Sequence, residues 1–202
     1  MLNISDSEIY SMGISKILKY RYDIDLDQRT NSYILFNDNL TRNIIHKIKY
    51  ASDKHLATFM GYAYARYLNK IKPPHIHQVD VIIPIPLSSK KFKKRGYNQS
   101  EVIAIELRKT FTKAVIIKDI LIKNKDTQGQ ATKNFEDRIT NIAGVFHVKN
   151  SVRKLENKHI LLVDDVFTSG ATIACVIKTI LKQVSNIKIS IAVLAYRPFL
   201  SS

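Results

Sequence analysis

Residues 159–173, His-Ile-Leu-Leu-Val-Asp-Asp-Val-Phe-Thr-Ser-Gly-Ala-Thr-Ile, constrain the fold more than any other stretch of the chain. The run His159 to Val163 predicts a buried strand ending at two carboxylates, Asp164 and Asp165. A loop of small residues follows, and Ile173 to Val184 predicts a helix. Thr168, Ser169, Gly170, Ala171 and Thr172 therefore sit where a strand gives way to a helix, so that hydroxyls and backbone N–H groups converge on the positive end of the helix dipole. That arrangement is a phosphate cradle. Two acids beside it cannot bind the phosphate, but they can accept hydrogen bonds from a sugar diol or hold Mg²⁺. Acid pair and cradle together point to a ribose 5-phosphate.

Other phosphate-binding patterns fit less well. The chain contains neither G-x-x-x-x-G-K-[ST] nor G-x-G-x-x-G. A receiver-type fold also ends a strand in paired acids, but it needs more strands downstream than the residues after Asp165 can supply. Val163 to Thr172, taken with the preceding strand and following helix, resembles the signature loop of the type I phosphoribosyltransferases, which bind phosphoribosyl pyrophosphate in this manner.

At 202 residues the chain fits one domain with a substantial core. No apolar run reaches the ~18 residues that suggest a membrane span, and Met1 to Tyr10 has no signal-peptide pattern, so the expected location is cytoplasmic, without membrane insertion. One cysteine, Cys175, excludes an internal disulfide and a cysteine zinc site, and it reads as a small packing residue. The formal charge of +15 attracts polyanions, either nucleic acid or phosphorylated small molecules. Charge alone does not choose between them.

In chain order, Ile14 to Tyr20 predicts a short helix, and Asp23, Asp25 and Asp27 form an acidic cluster that lacks the glycine turn and closing Glu of a calcium loop. Tyr33 to Phe36 predicts a strand. Leu40 to Tyr50 predicts a helix with Leu40, Ile44, Ile45 and Ile48 inward, and His55 to Ile71 another with Leu56, Phe59, Met60, Ala63, Tyr64 and Tyr67 inward. His46 and His55 have no metal-like spacing. After the break at Lys72-Pro-Pro-His75, the run Val79 to Pro86 reads as a strand buried on both faces. A basic loop, Leu87 to Ser100, follows, with five cations among Lys90 to Arg95, then a helix from Val102 to Phe111 capped by Asn98 or Ser100. Ala114 to Ile122 and Gly144 to Val148 predict strands, Asn124 to Asn141 a polar loop with a short helical turn, and Ile187 to Tyr196 the last strand. The expected fold class is α/β, a parallel sheet with crossovers, in which ligands bind beyond the carboxyl ends of the strands. The loops at Pro84 to Arg95 and Asp164 to Thr172 should meet there.

Several motifs narrow the resemblance. Pro84-Ile-Pro-Leu87 with Lys94-Arg-Gly-Tyr-Asn-Gln-Ser100, Thr127-Gln-Gly-Gln130, Arg138-Ile-Thr-Asn141 with Phe146, and Ile48-Lys-Tyr50 with Asp53 and Leu56 closely resemble the ComF family. Those are proteins of DNA uptake in natural transformation, built on a phosphoribosyltransferase fold. The resemblance implies a type I phosphoribosyltransferase-like domain over residues 33–202 and a small N-terminal segment, residues 1–32. That segment holds no cysteine and so lacks the four-cysteine zinc module of many relatives; no zinc is expected.

It further implies phosphoribosyl pyrophosphate with Mg²⁺ as ligand. Thr168 to Thr172 would hold the 5-phosphate, and Asp164 and Asp165, the candidate catalytic and metal-binding pair, would take the diol and assist Mg²⁺ through water. The turn containing Leu87 and Ser88, with Arg95 and Arg138, would face the pyrophosphate. Lys90, Lys91, Lys93, Lys94 and Tyr97 would contact single-stranded DNA, phosphates on the cations and a base on the aromatic ring. Proteins of the competence machinery are implied partners, and the oligomeric state stays open. No residue presents itself for nucleobase recognition, and only Arg197 to Ser202 follows the last strand, which favours ligand binding over transfer. The alternative is a phosphoribosyltransferase acting on an unidentified nucleobase or amine.

Overall fold

The computed structural model describes residues 6–26, 30–35, 39–73, 78–124 and 144–196. Helix α1 spans Asp6–Tyr22, β1 Thr30–Leu35, α2 Asn39–Tyr50, α3 Lys54–Ile71, β2 Val81–Pro84, α4 Ser89–Arg95, α5 Gln99–Arg108, β3 Val115–Ile116, β4 Leu121–Lys123 and β5 Phe146–Val148. A 3-10 turn at Asn150–Leu155 leads into β6, His159–Phe167, followed by α6, Ala171–Leu181, and β7, Lys188–Tyr196.

Five parallel strands form one sheet in the order β1-β7-β6-β2-β3, and β4 and β5 form a separate antiparallel pair. The sheet is covered on both faces, as its near-continuous apolar strands require. Side chains alternate between the two covers. Ile160 and Leu162 of β6, with Ile191 and Val193 of β7, pack into a core shared with α1, α6 and the β4–β5 pair. Leu161 and Val163, with Ala192 and Leu194, face the opposite core, built with α2, α3 and α5. On that side α3 and α5 approach closely at Gly61, where a Cβ would lie 3.2 Å from the Ile103 Cα.

Several expectations change in the structure. The strand does not stop at the acid pair: β6 runs through Asp164 and Asp165 to Phe167, because Val166 and Phe167 still pair with β7 at Ala195 and Tyr196. The segment from Ala114 to Ile122 is divided, Val115–Ile116 joining the main sheet and Leu121–Lys123 turning away to pair with β5. The basic segment is not an open loop but helix α4. Ser88 caps its start by accepting from the Lys91 N–H, and Gly96, at φ 75°, ends it.

The inward faces of α2 and α3 are also rotated from the predicted stripe. Leu40 and Phe59 are exposed, whereas Thr41, Ile45 and Ile48 of α2 and Ala57, Met60, Tyr64, Ala65 and Leu68 of α3 are buried. The N-terminal segment is longer in helix than predicted and belongs to the main core: Ile14, Leu18 and Tyr22 pack in the same cluster as β6 and α6. Its acidic cluster is partly neutralised locally, since the Lys19 ammonium lies 3.2 Å from Asp23 and 3.5 Å from Asp25. Among the described residues no helix is long and apolar enough to cross a membrane.

Candidate functional site

Parallel pairing of β2 with β6, in which Pro84 lies opposite Val163, brings the turn after β2 beside the acid pair. The start of α5 completes the approach. Asn98 caps that helix at Ser100 N–H while its side-chain amide donates to the Ile85 carbonyl, locking the helix to the strand end. Ser100 Oγ then donates to Asp164 Oδ1 at 3.0 Å, linking positions 64 residues apart. The two distant motifs thus meet at the carboxyl ends of the strands, as the α/β topology requires.

Asp164 Oδ1 also accepts from the Asp165 N–H at 2.8 Å, and Asp165 is buried against the Lys49 ammonium at 3.2 Å. Burial pushes the Asp164 carboxyl up to about 6, with the neighbouring Asp165 charge adding to the rise. Lys49 and the hydrogen bonds from the Asp165 N–H and Ser100 oppose it. The two acids therefore differ in character, one paired with a cation and the other held close to its protonation point.

Beyond them, Asp164 and residues 166–173 line a small open cup. Gly170, at φ 83°, turns the chain into α6 and offers no capping side chain, leaving the first-turn N–H groups facing the cup open to an anion. A Cβ at Gly170 would lie 2.8 Å from the Phe167 ring, so the turn depends on glycine twice. Thr168 is exposed, Ser169, Ala171 and Thr172 are half-buried, and Ser169 Oγ accepts weakly from the Ala171 N–H at 3.4 Å. From the core it shares with Phe167 and Ile173, the Tyr22 hydroxyl donates to the Ser169 carbonyl at 3.1 Å, so α1 reaches the cradle.

The remaining predicted residues divide sharply. Leu87 is half-buried in the turn, and Ser88, buried, is occupied in capping α4. Arg95 is half-buried, donating to Gln99 Oε1 at 2.9 Å with its guanidinium 5.6 Å from the Tyr50 ring centroid. Lys90, Lys93 and Lys94 are exposed on α4, and Lys91 is half-buried. Tyr97 is a correction. Its ring is buried and its hydroxyl donates to the Ile48 carbonyl at 2.7 Å, so no base can stack on it. Arg138 and the motif Thr127 to Gln130 lie outside the described residues.

Sequence reasoning placed Lys49 in a motif but not in the site; it is the acid pair's cation. The signal was present in the Ile48-Lys-Tyr50 motif with Asp53. Asp53 caps α3 by accepting from the Leu56 N–H, and Ile48 supplies the carbonyl that anchors Tyr97 and Gln99. With the helix end so fixed, Lys49 is directed at Asp165.

The donor set can be tested for Mg²⁺. Among the described residues no group of three or more acids, histidines or cysteines could form a protein cage for a metal. Two adjacent carboxylates, one already ion-paired, instead fit an ion held largely by water and by a ligand's phosphates, the usual habit of Mg²⁺.

Residues 77–199 match the phosphoribosyl transferase domain family. Among curated relatives, the competence protein ComFC of Bacillus subtilis is 23% identical over 155 residues, covering 77% of this chain and 59% of that protein. Competence protein F of Haemophilus influenzae is 30% identical over 94 residues, 46% of this chain and 41% of its own. The DNA utilization protein YhgH of Escherichia coli O157:H7 is 23% identical over 141 residues, 69% of this chain and 60% of its own. The matches span three fifths or less of these relatives' lengths.

Proposed function

The chain belongs to the phosphoribosyl transferase domain family, with a type I fold and ComF-type relatives, and from that premise we propose that it binds phosphoribosyl pyrophosphate with Mg²⁺ and handles single-stranded DNA during DNA uptake in natural transformation, in the cytoplasm. The observation that carries the small-molecule part is the junction of Asp164 and Asp165 with the open N-terminus of α6. The 5-phosphate takes the N–H groups and hydroxyls of residues 168–172, and the ribose diol takes the carboxylates. Mg²⁺, when bound, would neutralise diphosphate charge, and Asp164 and Asp165 are the residues that would help hold it. Arg95, held by Gln99 at the edge of the site, adds positive charge on the pyrophosphate side.

The DNA part is supported by the names of the relatives and by α4, whose cations project from a short helix near the site. Proteins of the competence machinery are the corresponding partners. A strand bound there releases counterions, so its affinity falls steeply with salt.

Calorimetric titration of the unaltered chain with phosphoribosyl pyrophosphate and Mg²⁺ tests the first part, and titration with a single-stranded oligonucleotide tests the second. Phosphoribosyl pyrophosphate binding should be abolished by Asp164→Ala with Asp165→Ala; binding that survives both changes removes the site assignment. The retained acid pair also favours a second reading, transfer to an unidentified nucleobase or amine. Pyrophosphate released only when one particular acceptor is added would establish that reading in place of the first.

A further inference from the structure

The exposed aromatic that the basic helix needs is not Tyr97 but Tyr50, at the last turn of α2. Tyr50 is 56% exposed, although the cations of Lys94 and Arg95 and the ring of His46 gather near it. Lys94 Nζ lies 5.7 Å and Arg95 Cζ 5.6 Å from its ring centroid, both within cation–π reach. The His46 ring, one helical turn back, sits 4.9 Å away at a tilt of 44°. The position is fixed rather than incidental. Ser52 Oγ donates to the Arg95 carbonyl at 2.9 Å, tying the end of α2 to the end of α4, and Ile48 accepts from both Tyr97 and Gln99. Phe92, 48% exposed, shares the Arg95 face of α4 by i,i+3 spacing and adds a second open ring beside the cations.

A solvent-facing ring with fixed cations around it is unlike a core aromatic or a solvated lysine face. Apolar packing would bury the ring, and a purely electrostatic patch would not order an aromatic among its cations. The ring offers a base its π-face, and the adjoining cations offer the flanking phosphates their counter-charge. We propose that Tyr50, with His46, Lys94 and Arg95, forms a stacking platform for one base of a single-stranded nucleic acid whose backbone runs along α4. This rests on the strand-binding reading above and deepens it by naming the contact that recognises a base rather than a phosphate. Lys49, the residue before Tyr50, pairs with Asp165, so the platform stands at the rim of the phosphoribosyl site.

Fluorescence anisotropy with a labelled single-stranded oligonucleotide and an abasic strand of the same length tests the proposal on the full chain. Tyr50→Ala should weaken oligonucleotide binding by about tenfold, the scale of one lost stacking contact. It should leave abasic-strand binding and the salt slope unchanged. Tyr50→Trp should bind at least as well, and because the natural chain contains no tryptophan, quenching of the new indole on strand binding reports stacking directly. Equal loss of both strands, unaltered oligonucleotide affinity, or loss of phosphoribosyl pyrophosphate binding alone would overturn the platform while leaving the general reading intact. If the unaltered chain binds no strand at all, the strand-binding reading fails and the platform with it.

Discussion

The turn at residues 168–172 and helix α4 both present positive electrostatics to phosphate, by opposite means. The turn uses almost no charge. Its field comes from the open N-terminus of α6 and from backbone N–H groups, aimed by a glycine at φ 83° and braced from below by Phe167 and Tyr22. Helix α4 uses formal charge on long, solvated side chains; it has no buried residue and is held by its Ser88 cap, its Gly96 stop and the Ser52 bond to Arg95. A cup of set geometry suits one phosphate, whereas a solvated cationic row suits a polymer whose phosphates arrive in many positions. Different substitutions should therefore damage the two ligands separately.

The largest separation is expected from Gly170→Ala. A Cβ there meets the Phe167 ring at 2.8 Å and forces a positive φ on a residue that disfavours it, a strain of about 1–3 kcal/mol. Relief requires moving Phe167, which packs edge-on against Tyr196 with centroids 5.8 Å apart, and so distorts the cup. Phosphoribosyl pyrophosphate affinity measured by calorimetry should fall about a hundredfold, the equivalent of about 2.7 kcal/mol. Strand binding should stay within about twofold, and a parallel fall in both would erase the contrast.

The converse variant neutralises the row. Combining Lys90→Gln, Lys93→Gln and Lys94→Gln removes three exposed cations without touching a capping residue. Strand affinity at low salt should drop about thirtyfold, and the slope of log affinity against log salt should become shallower by about two, from about 0.7 per phosphate contact. Helicity should be unaffected by circular dichroism. An unchanged slope would mean that strands bind elsewhere.

A smaller effect is expected within the site. Folded Asp164 keeps its proton to about pH 6, whereas an unperturbed carboxyl releases it near 3.8. Between those values the folded state binds more protons, so the stability associated with protonated Asp164 is complete below about pH 3.8 and is lost as pH rises through about 6. Asp164→Asn keeps an oxygen able to accept from Ser100 and the Asp165 N–H but removes the charge. Without ligand, this variant should be more stable than the natural protein by about 1–2 kcal/mol at pH 7.5, with the difference vanishing below pH 4 in denaturant titrations. A constant difference across that range would show that the effect is not protonation of Asp164.

The two regions were not equally legible in the sequence. The strand, acid pair, small-residue turn and helix around residues 159–181 are contiguous, and each element's local pattern agrees with the sheet it enters. The acid pair's partner was less visible, because Lys49 approaches Asp165 from another helix and only the fold sets that distance. Helix α4 was hidden for a different reason: with Phe92 as the sole apolar residue among its cations it has no helical stripe, and its caps define it instead. Tyr97 shows the same limit. An aromatic after five cations reads as a surface ring, but Gly96, at φ 75°, reverses the chain and sends the ring into the core. The exposed aromatic came from a helix distant in sequence.

The smallest predicted effect concerns the brace beneath the cup. The Tyr22 hydroxyl donates to the Ser169 carbonyl, and its ring lies 3.4 Å from the position a Cβ on Gly170 would take. In a trans peptide the carbonyl and the next N–H point in opposite directions, so a grip on the Ser169 carbonyl aims the Gly170 N–H away from Tyr22 and fixes one donor of the cradle. Tyr22→Phe preserves the ring and removes that grip, at a stability cost of about 1 kcal/mol. The expected result is an approximately fivefold loss of affinity for phosphoribosyl pyrophosphate and for ribose 5-phosphate alike, since both present the same 5-phosphate, with no change in strand binding. A loss confined to thermal stability would make α1 only a packing element. A loss confined to phosphoribosyl pyrophosphate would place the disturbance at the pyrophosphate side instead, and would break the assignment of the turn to the 5-phosphate.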